Sequence, residues 1–303
     1  MIHFFYEIVV RAKEKNRFYW KFLYKVNKVI LNLLYPIGQK RNHKIGVSND
    51  GKIIVSLTTY PGRIDQVWKT ISSLLNQTLK PKRVMLWLAE EQFLDRRLPE
   101  SVNRLTKRGL EIHYCEDLRS HKKYYEVMKQ YPEEIVVTAD DDILYPENHL
   151  EKLWKTHLEF STEIICQWSH RITFDESGNF EPYNDWPDNG RELPSLATLA
   201  VGCGGILYPP GALAQEVFCK EALQRYALAA DDLWLKCMEL LAGTKTVNCN
   251  QTFLVYYNVL STRKSGLWIS NTGDQKNNDK VWKLLMQQYP RAFECLQQEA
   301  EQE

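Results

Sequence analysis

Three consecutive aspartates are the residues of this sequence best suited to chemistry. Asp140, Asp141 and Asp142 directly follow an apolar run, 134–139, that has the character of a buried strand. Adjacent carboxylates repel one another, and a fold tolerates them best when a cation neutralises them. Asp140 and Asp142 project to the same side of extended backbone, so we predict that they share one Mg²⁺ or Mn²⁺ with phosphate oxygens and water. A solvated acidic loop or a helix amino-terminal cap is the alternative.

An alternation of strands and helices positions these aspartates. Residues 52–57 form an almost wholly apolar, β-branched run, which is typical of a strand buried on both faces. An amphipathic helix follows from Ile64 to about Gln77. Three further strands, 83–88, 110–114 and 134–139, alternate with helices at 99–108 and 123–130. This order predicts an α/β fold with a mostly parallel, doubly wound central sheet flanked by helices. Ligands bind such sheets at the carboxyl ends of the strands, where the strand order reverses.

The composition limits the classes of protein to consider. A chain of 303 residues with 44% hydrophobic content buries a full core. The net charge of +1 argues against nucleic acid as a partner, because nucleic-acid binding favours a strongly basic chain or face. Seven cysteines are scattered singly, which indicates reduced thiols in a cytoplasmic protein.

The amino-terminal segment, 1–45, differs in charge from the rest of the chain. Its first 44 residues hold ten Lys and Arg against Glu7 and Glu14. Between Trp20 and Ile37, three lysines at helical spacing lie opposite an apolar stripe of Phe22, Leu23, Val26, Ile30, Leu33 and Leu34. No signal peptide is apparent, and no apolar stretch reaches the roughly 18 to 20 residues that a spanning helix needs. We therefore predict a basic amphipathic helix on the inner face of the plasma membrane, with packing on a catalytic domain at 46–303 as the alternative.

Four motifs in order resemble a known group of enzymes. They are TTYPGRI at 58–64, TADDDILYP at 138–146, GCGGILYPPGAL at 202–213 and AADDLW at 229–234. Together they are similar to bacterial glycosyltransferases with the Rossmann-like GT-A fold, close to family 2, of surface polysaccharide and lipopolysaccharide biosynthesis. The resemblance covers about residues 52 to 285. It implies transfer of a sugar from a nucleotide diphosphate sugar, in particular a UDP-sugar, to a glycan or lipid-linked acceptor.

The resemblance assigns roles to residues near the strand ends. Asp140 and Asp142 match the metal-binding aspartates, where the ion stabilises departing phosphate charge. An ordinary turn set by Pro61 and Gly62 is the alternative for the first motif. In the donor site we place Thr58, Thr59, Tyr60, Arg63 and Asp141, with Asp117 expected to reach base or ribose and Lys123 the phosphates, unless that lysine lies on the surface.

The later motifs match the acceptor side. Asp232 matches the general base of inverting family 2 enzymes, with Asp231 positioning the base or the acceptor. Aspartates in a first helical turn also stabilise a helix without any catalytic role. The pocket for sugar and acceptor is assigned to the amides of Gly204 and Gly205, with His170, Arg171 and Trp186 as further contacts; a structural histidine and a packed tryptophan are the alternatives.

The absence of histidine after His170 favours inversion, because many retaining GT-A enzymes add a late histidine to the metal site. Asn271, Asn278 and Asp279 are the replacement ligands in a retaining enzyme. Two other functions compete with glycosyl transfer. A sugar nucleotidyltransferase also uses paired aspartates but usually carries a glycine-rich first loop, whereas TTYPGRI holds one glycine. A non-catalytic sugar-nucleotide-binding protein does not require Asp140, Asp142 and Asp232 together.

Overall fold

The computed structural model describes residues 1–15, 18–39, 43–190, 193–249, 256–260 and 277–300. Its centre is a seven-stranded sheet. The strands are β1 (Ile53–Thr58), β2 (Arg83–Ala89), β3 (Leu110–Cys115), β4 (Ile135–Ala139), β5 (Ile164–Cys166), β9 (Ile206–Tyr208) and β10 (Thr246–Asn248). Their spatial order is β10-β5-β9-β4-β1-β2-β3.

This sheet is mostly parallel, as predicted. Strands β1 to β4 run parallel to one another, and β5 runs parallel to β10. Strand β9 is inserted antiparallel between β4 and β5, which the parallel arrangement predicted from the sequence did not include. A second antiparallel sheet contains β6 (Ser169–Arg171), β7 (Asp188–Asn189) and β8 (Thr198–Ala200), in the order β7-β6-β8. The protein is therefore a mixed α/β, Rossmann-like fold.

Helices cover both faces of the central sheet. They are α1 (Ile2–Glu14), α2 (Trp20–Gln39), α3 (Ile64–Leu74), α4 (Glu100–Thr106), α5 (Lys122–Gln130), α6 (His149–Glu159), α7 (Lys220–Tyr226), α8 (Asp231–Ala242), α9 (Asn277–Gln288) and α10 (Pro290–Ala300). Alternate residues of each strand enter different apolar clusters, because successive side chains point to opposite faces. One cluster joins the sheet to α1, α2, α3, α4 and α6, and another joins it to α7, α8, α9 and α10.

The amino-terminal helices pack on the sheet domain through one face. Tyr6 Oη donates to Leu144 O at 3.1 Å, and Tyr24 Oη donates to Tyr256 O at 2.9 Å. The helix expected over 20–37 is present as α2, and its inner side is buried. None of the described helices has the length and apolarity needed to cross a bilayer.

Candidate active site

A crevice opens where the strand order reverses. Strands β2 and β3 lie on one side of β1, whereas β4 lies on the other, so the chain leaves β1 and β4 in different directions. Thr59 follows β1 and Asp141 follows β4. Thr59 Oγ1 donates to Asp141 Oδ2 at 2.6 Å, directly across the carboxyl ends of the two strands. This is the position at which doubly wound sheets bind ligands.

Arg63 neutralises two of the three consecutive aspartates. Its Nη1 lies 2.5 Å from Asp141 Oδ1 and 3.4 Å from Asp142 Oδ2, and the three side chains are largely buried. Burial raises the pKa of Asp141, against the opposing effect of Arg63 and Thr59. Burial also raises the pKa of Asp142 to about 7, although Arg63 works against it. We predicted that Asp141 contacts the donor. In the structure its two carboxylate oxygens accept hydrogen bonds from Arg63 and Thr59.

Lys123 is a buried cation between two acidic motifs. It lies in the first turn of α5, and its Nζ is 2.8 Å from Asp140 Oδ1 and 2.8 Å from Asp231 Oδ2. Burial alone lowers the pKa of Lys123, but the carboxylates of Asp140 and Asp231 raise it well above its usual value. The ammonium therefore stays charged. Lys123 lies inside the crevice, and the surface alternative considered for it does not apply.

Asp231 and Asp232 begin α8 but have different environments. Burial favours a raised pKa for Asp231, but Lys123 and His121 lower it to about 2. For Asp232, burial and then the neighbouring Asp231 raise the pKa to about 7. Asp232 Oδ2 accepts a hydrogen bond from the Gly202 amide at 3.2 Å, whereas its buried Oδ1 has no hydrogen-bond partner among the described residues. Two adjacent carboxylates with separated pKa values are suited to different roles.

The charged groups of both acidic motifs meet above Gly202. A Cβ placed on Gly202 would lie 2.8 Å from Lys123 Nζ, 2.9 Å from Asp232 Oδ1 and 3.6 Å from Asp140 Oδ1. The lack of a side chain at this position therefore leaves room for the cluster. The sequence signal was the glycine group at 202–205, but Gly202 itself was not assigned to the site.

Gly204 and Gly205 instead make close contacts within the protein. A Cβ at Gly204 would meet Trp168 at 2.8 Å. Gly205 has a φ of 76° and faces His149, which a Cβ there would meet at 2.5 Å. These contacts explain the two glycines without a substrate, in contrast to the pocket role expected for them.

The predicted acceptor residues separate into two groups. His170 lies in β6, with its Nδ1 3.3 Å from Asp188 Oδ1, and Arg171 ends the same strand. Trp186 is only 3% exposed, donates from Nε1 to Glu181 O and packs edge-on against Trp282. Its ring belongs to the core, which corrects the expectation of a substrate contact: apolar packing, not recognition, accounts for this tryptophan.

An aromatic wall that the sequence analysis did not identify stands beside Asp232. The Trp168 ring stacks on Tyr256 at 5.6 Å, and its Nε1 donates to Asp188 Oδ1 at 3.0 Å. Tyr183 packs edge-on against His170 at 5.7 Å. Burial raises the pKa of Tyr183, and the carboxylate of Asp232 raises it further, so the phenol lies within electrostatic reach of Asp232. The available signal was the position of Trp168 shortly after the apolar run 164–166.

The remaining donor-side predictions lie along the same sheet edge. Thr58 Oγ1 donates to Trp87 O at 2.8 Å, and the Tyr60 ring lies 5.7 Å from the Arg63 guanidinium. Asp117 follows β3 and forms an ion pair with Lys122. Tyr60, Arg63 and Asp117 therefore follow β1 and β3 in one half of the sheet, whereas Trp168 of the aromatic wall follows β5 in the other half. Thr58 is part of β1 itself.

The aspartates fit a divalent ion only together with phosphate. Among the described residues, no group of three or more His, Cys, Asp or Glu side chains is placed to hold a metal. Asp140 is one-third exposed and Asp142 is largely buried, and each already has a basic partner, Lys123 or Arg63. Mg²⁺ commonly takes one or two carboxylates and completes its shell with substrate phosphates and water. The carboxylates of Asp140 and Asp142, completed by substrate phosphates and water, fit such an ion. Of the replacement ligands, Asn271 lies outside the described residues.

Comparisons with known proteins give a distant structural likeness and no family. No family profile and no curated protein matches this chain. Among solved structures it is similar to CMP:2-keto-3-deoxy-manno-octonic acid synthetase complexed with CTP, at 10% identity and a TM-score of 0.39. The match covers 65% of this chain and 88% of that chain. At this level the likeness carries no information on the reaction.

Proposed function

We propose that this protein is a glycosyltransferase that uses a nucleotide diphosphate sugar, most simply a UDP-sugar. It transfers the sugar with inversion to a glycan or lipid-linked acceptor in cell-surface polysaccharide biosynthesis. The observation that supports this proposal most strongly is the meeting of Lys123, Asp140 and Asp232 above Gly202, at the strand-order reversal. Motifs about ninety residues apart along the chain, 140–142 and 231–232, contribute to one cluster.

In this proposal Asp232 is the general base. Its carboxylate takes the proton of an acceptor hydroxyl while that oxygen forms the new bond to the anomeric carbon. The bond from this carbon to the diphosphate breaks, and the electron pair leaves with the nucleotide. Attack opposite the leaving group inverts the configuration. A pKa near 7 suits the role, because a general base works best when its pKa lies close to the operating pH.

The leaving diphosphate needs positive charge, and the site contains two fixed cations. Lys123 and Arg63 lie at the two ends of the Asp140 to Asp142 segment. A Mg²⁺ or Mn²⁺ ion bound by Asp140 and Asp142 supplies Lewis-acid stabilisation of phosphate charge when present. Asp231 has a different function in the proposal: it holds Lys123 in place and leaves Asp232 as the base.

The two sides of the crevice then take different substrates. Tyr60, Arg63 and Asp117 follow β1 and β3, where a nucleoside and its phosphates fit the available hydrogen-bonding groups. Trp168, Tyr183 and His170 form the aromatic wall on the other side, where flat ring surfaces favour the apolar faces of a sugar acceptor. Asp232 lies between these two sides.

Sugar nucleotidyl transfer is the alternative, because it requires the same kind of crevice and acidic cluster. A sugar 1-phosphate attacks through an oxygen that is already ionised, so its nucleotidyl transfer needs no base to remove a hydroxyl proton. The buried Asp232 with its raised pKa therefore favours glycosyl transfer over nucleotidyl transfer to a sugar phosphate. Binding of sugar nucleotide without turnover is the third possibility, and it does not require a base.

One set of assays separates these functions. Sugar nucleotides are screened for transfer and for slow hydrolysis with Mg²⁺, with Mn²⁺ and with a chelator. We expect release of nucleoside diphosphate that depends on the metal and that Asp142→Asn greatly reduces, with an unchanged circular dichroism spectrum. Release of pyrophosphate from a nucleoside triphosphate and a sugar would replace this proposal with nucleotidyl transfer. Binding of a sugar nucleotide with neither reaction would support the non-catalytic function.

A further inference from the structure

Helix α2 packs on the sheet domain through one face and leaves apolar side chains exposed on the opposite face. The buried face holds Asn27, Lys28, Leu31, Asn32 and Tyr35. The opposite face exposes Phe22, Val29, Ile30, Leu33, Leu34 and Ile37. A helix on a water-soluble surface normally turns a polar face outward. This outer face of α2, defined by those six residues, is an exposed apolar surface that folding of the described chain leaves uncovered.

Neighbouring residues extend this surface. Phe18, in the turn between α1 and α2, is 96% exposed, and Phe4 on α1 is 64% exposed. Phe18 and Phe22 are four positions apart, with Lys21 and Lys25 exposed nearby. Contiguous exposed apolar surface of this kind marks a site of interaction with another protein or a membrane.

The charge of the surrounding region favours an anionic lipid surface over a protein partner. Helix α2 contains no acidic residue, and Arg11 and Lys15 of the adjoining segment are also exposed. The sequence adds Arg17, Lys40 and Arg41, which lie outside the described residues. Basic residues beside a bilayer contribute about 1 kcal/mol each through attraction to anionic headgroups. An apolar helix face bordered by lysines is the arrangement that binds in the plane of such an interface.

We propose that the outer face of α2, with Phe18 and Phe4, docks on an anionic bilayer surface. The helix lies in the membrane plane, with its apolar side chains at the boundary between headgroups and acyl chains. The lysines remain at headgroup level.

The inner face of α2 connects this docking surface to the crevice. Asn32 Nδ2 donates to Asn258 O at 3.2 Å, and the next residue, Val259, donates its amide to Asp142 O at 2.7 Å. The acidic segment is therefore separated from the docked surface by about one helix diameter, roughly 10 Å. Together with the function proposed above, on which this step rests, the short separation indicates an acceptor whose sugar is attached to a membrane lipid.

Sedimentation with vesicles tests the docking without any donor or turnover. The full chain is mixed with vesicles of phosphatidylglycerol and phosphatidylcholine, or of phosphatidylcholine alone. We expect binding to the anionic vesicles that weakens as salt increases. The triple variant Phe22→Ser, Leu33→Ser, Ile37→Ser is expected to lower the partition coefficient by about tenfold or more, since each side chain contributes buried apolar area. The matched control is Leu94→Ser, Leu158→Ser, Leu193→Ser, three exposed leucines outside α1 and α2, and we expect it to bind like the parent.

A variant with fewer lysines separates the electrostatic contribution to vesicle binding from the apolar contribution. Lys21→Gln with Lys25→Gln is expected to weaken binding to anionic vesicles and to flatten its salt dependence. Equal loss in the α2 triple variant and its control, with native circular dichroism in both, would overturn the proposal. So would absence of vesicle binding together with a dimer that the α2 triple variant dissociates, since a second copy would then cover the face. Binding without any transferase activity would leave the docking intact and refute only the proposed function.

Discussion

Lys123 Nζ and Asp231 Oδ2 lie 2.8 Å apart, and this ion pair ties the first turn of α5 to the first turn of α8. The pair determines how the two adjacent aspartates of α8 divide their roles. Asp231 pairs with the lysine, which holds its pKa low, whereas Asp232 has a raised pKa and a buried oxygen without a hydrogen-bond partner in the described part of the chain. One lysine thereby orders the carboxylates of two separate motifs.

Replacing Lys123 should destabilise the fold. Lys123→Met leaves Asp140 and Asp231 without their shared cation, and removing one partner of a buried pair costs about 3 to 5 kcal/mol. Thermal unfolding measures the effect, with Lys129→Met on the exposed side of α5 as the control. Equal melting temperatures for the parent and Lys123→Met would show that the ion pair contributes nothing to stability.

Asp232→Asn should abolish transfer while preserving the fold. Loss of a general base lowers kcat by about a hundredfold to ten-thousandfold. Asp65 also lies in the first turn of a helix, α3, but its side chain is exposed, so Asp65→Asn is a control for the helix-stabilising role. If both variants retained full kcat, Asp232 would be a helix-stabilising residue only.

The pH dependence follows from the raised pKa of Asp232. The base accepts a proton only when ionised, so kcat/KM should fall about tenfold per pH unit below about pH 7. Between its usual pKa of 3.8 and about 7, the folded protein binds more protons at Asp232 than the unfolded chain does. Its contribution to the free energy of unfolding is thus present below about pH 4 and is lost as the pH rises through 7. Urea unfolding across this range should show a decline that Asp232→Asn reduces, while the raised pKa of Asp142 maintains part of it.

Gly202→Ala should disable the site at modest cost to stability. The new methyl group would lie 2.8 Å from Lys123 Nζ and 2.9 Å from Asp232 Oδ1, so both charged side chains must move. We expect kcat to fall by about tenfold or more, because displacement of catalytic groups by an ångström has effects of this size. Gly38→Ala, where the nearest heavy atom is at 3.4 Å, is the control. Unchanged kinetics in Gly202→Ala would indicate that the cluster above Gly202 is not the reacting centre.

Much of the central sheet was predictable from local patterns. The four strands β1 to β4 and the helices between them were predicted within a few residues, because a buried parallel strand needs a continuous apolar run. The strands β5 to β10 have only two or three residues each, so periodicity alone gives little basis for distinguishing them from loops. The antiparallel insertion of β9 depends on pairing with β4 and β5, which lie more than thirty residues earlier in the chain.

The sequence by itself determined the alternating α/β order, the acidic segments after β4 and at the start of α8, and the amphipathic character of 20–37. Tertiary structure alone decided that Lys123 joins those acidic segments, that Gly202 leaves room for them and that Trp186 is buried. It also decided which face of α2 packs on the sheet domain and that an apolar face stays exposed. These features arise between residues far apart in the chain, and local spacing specifies which face of an element is apolar but not which partner covers it.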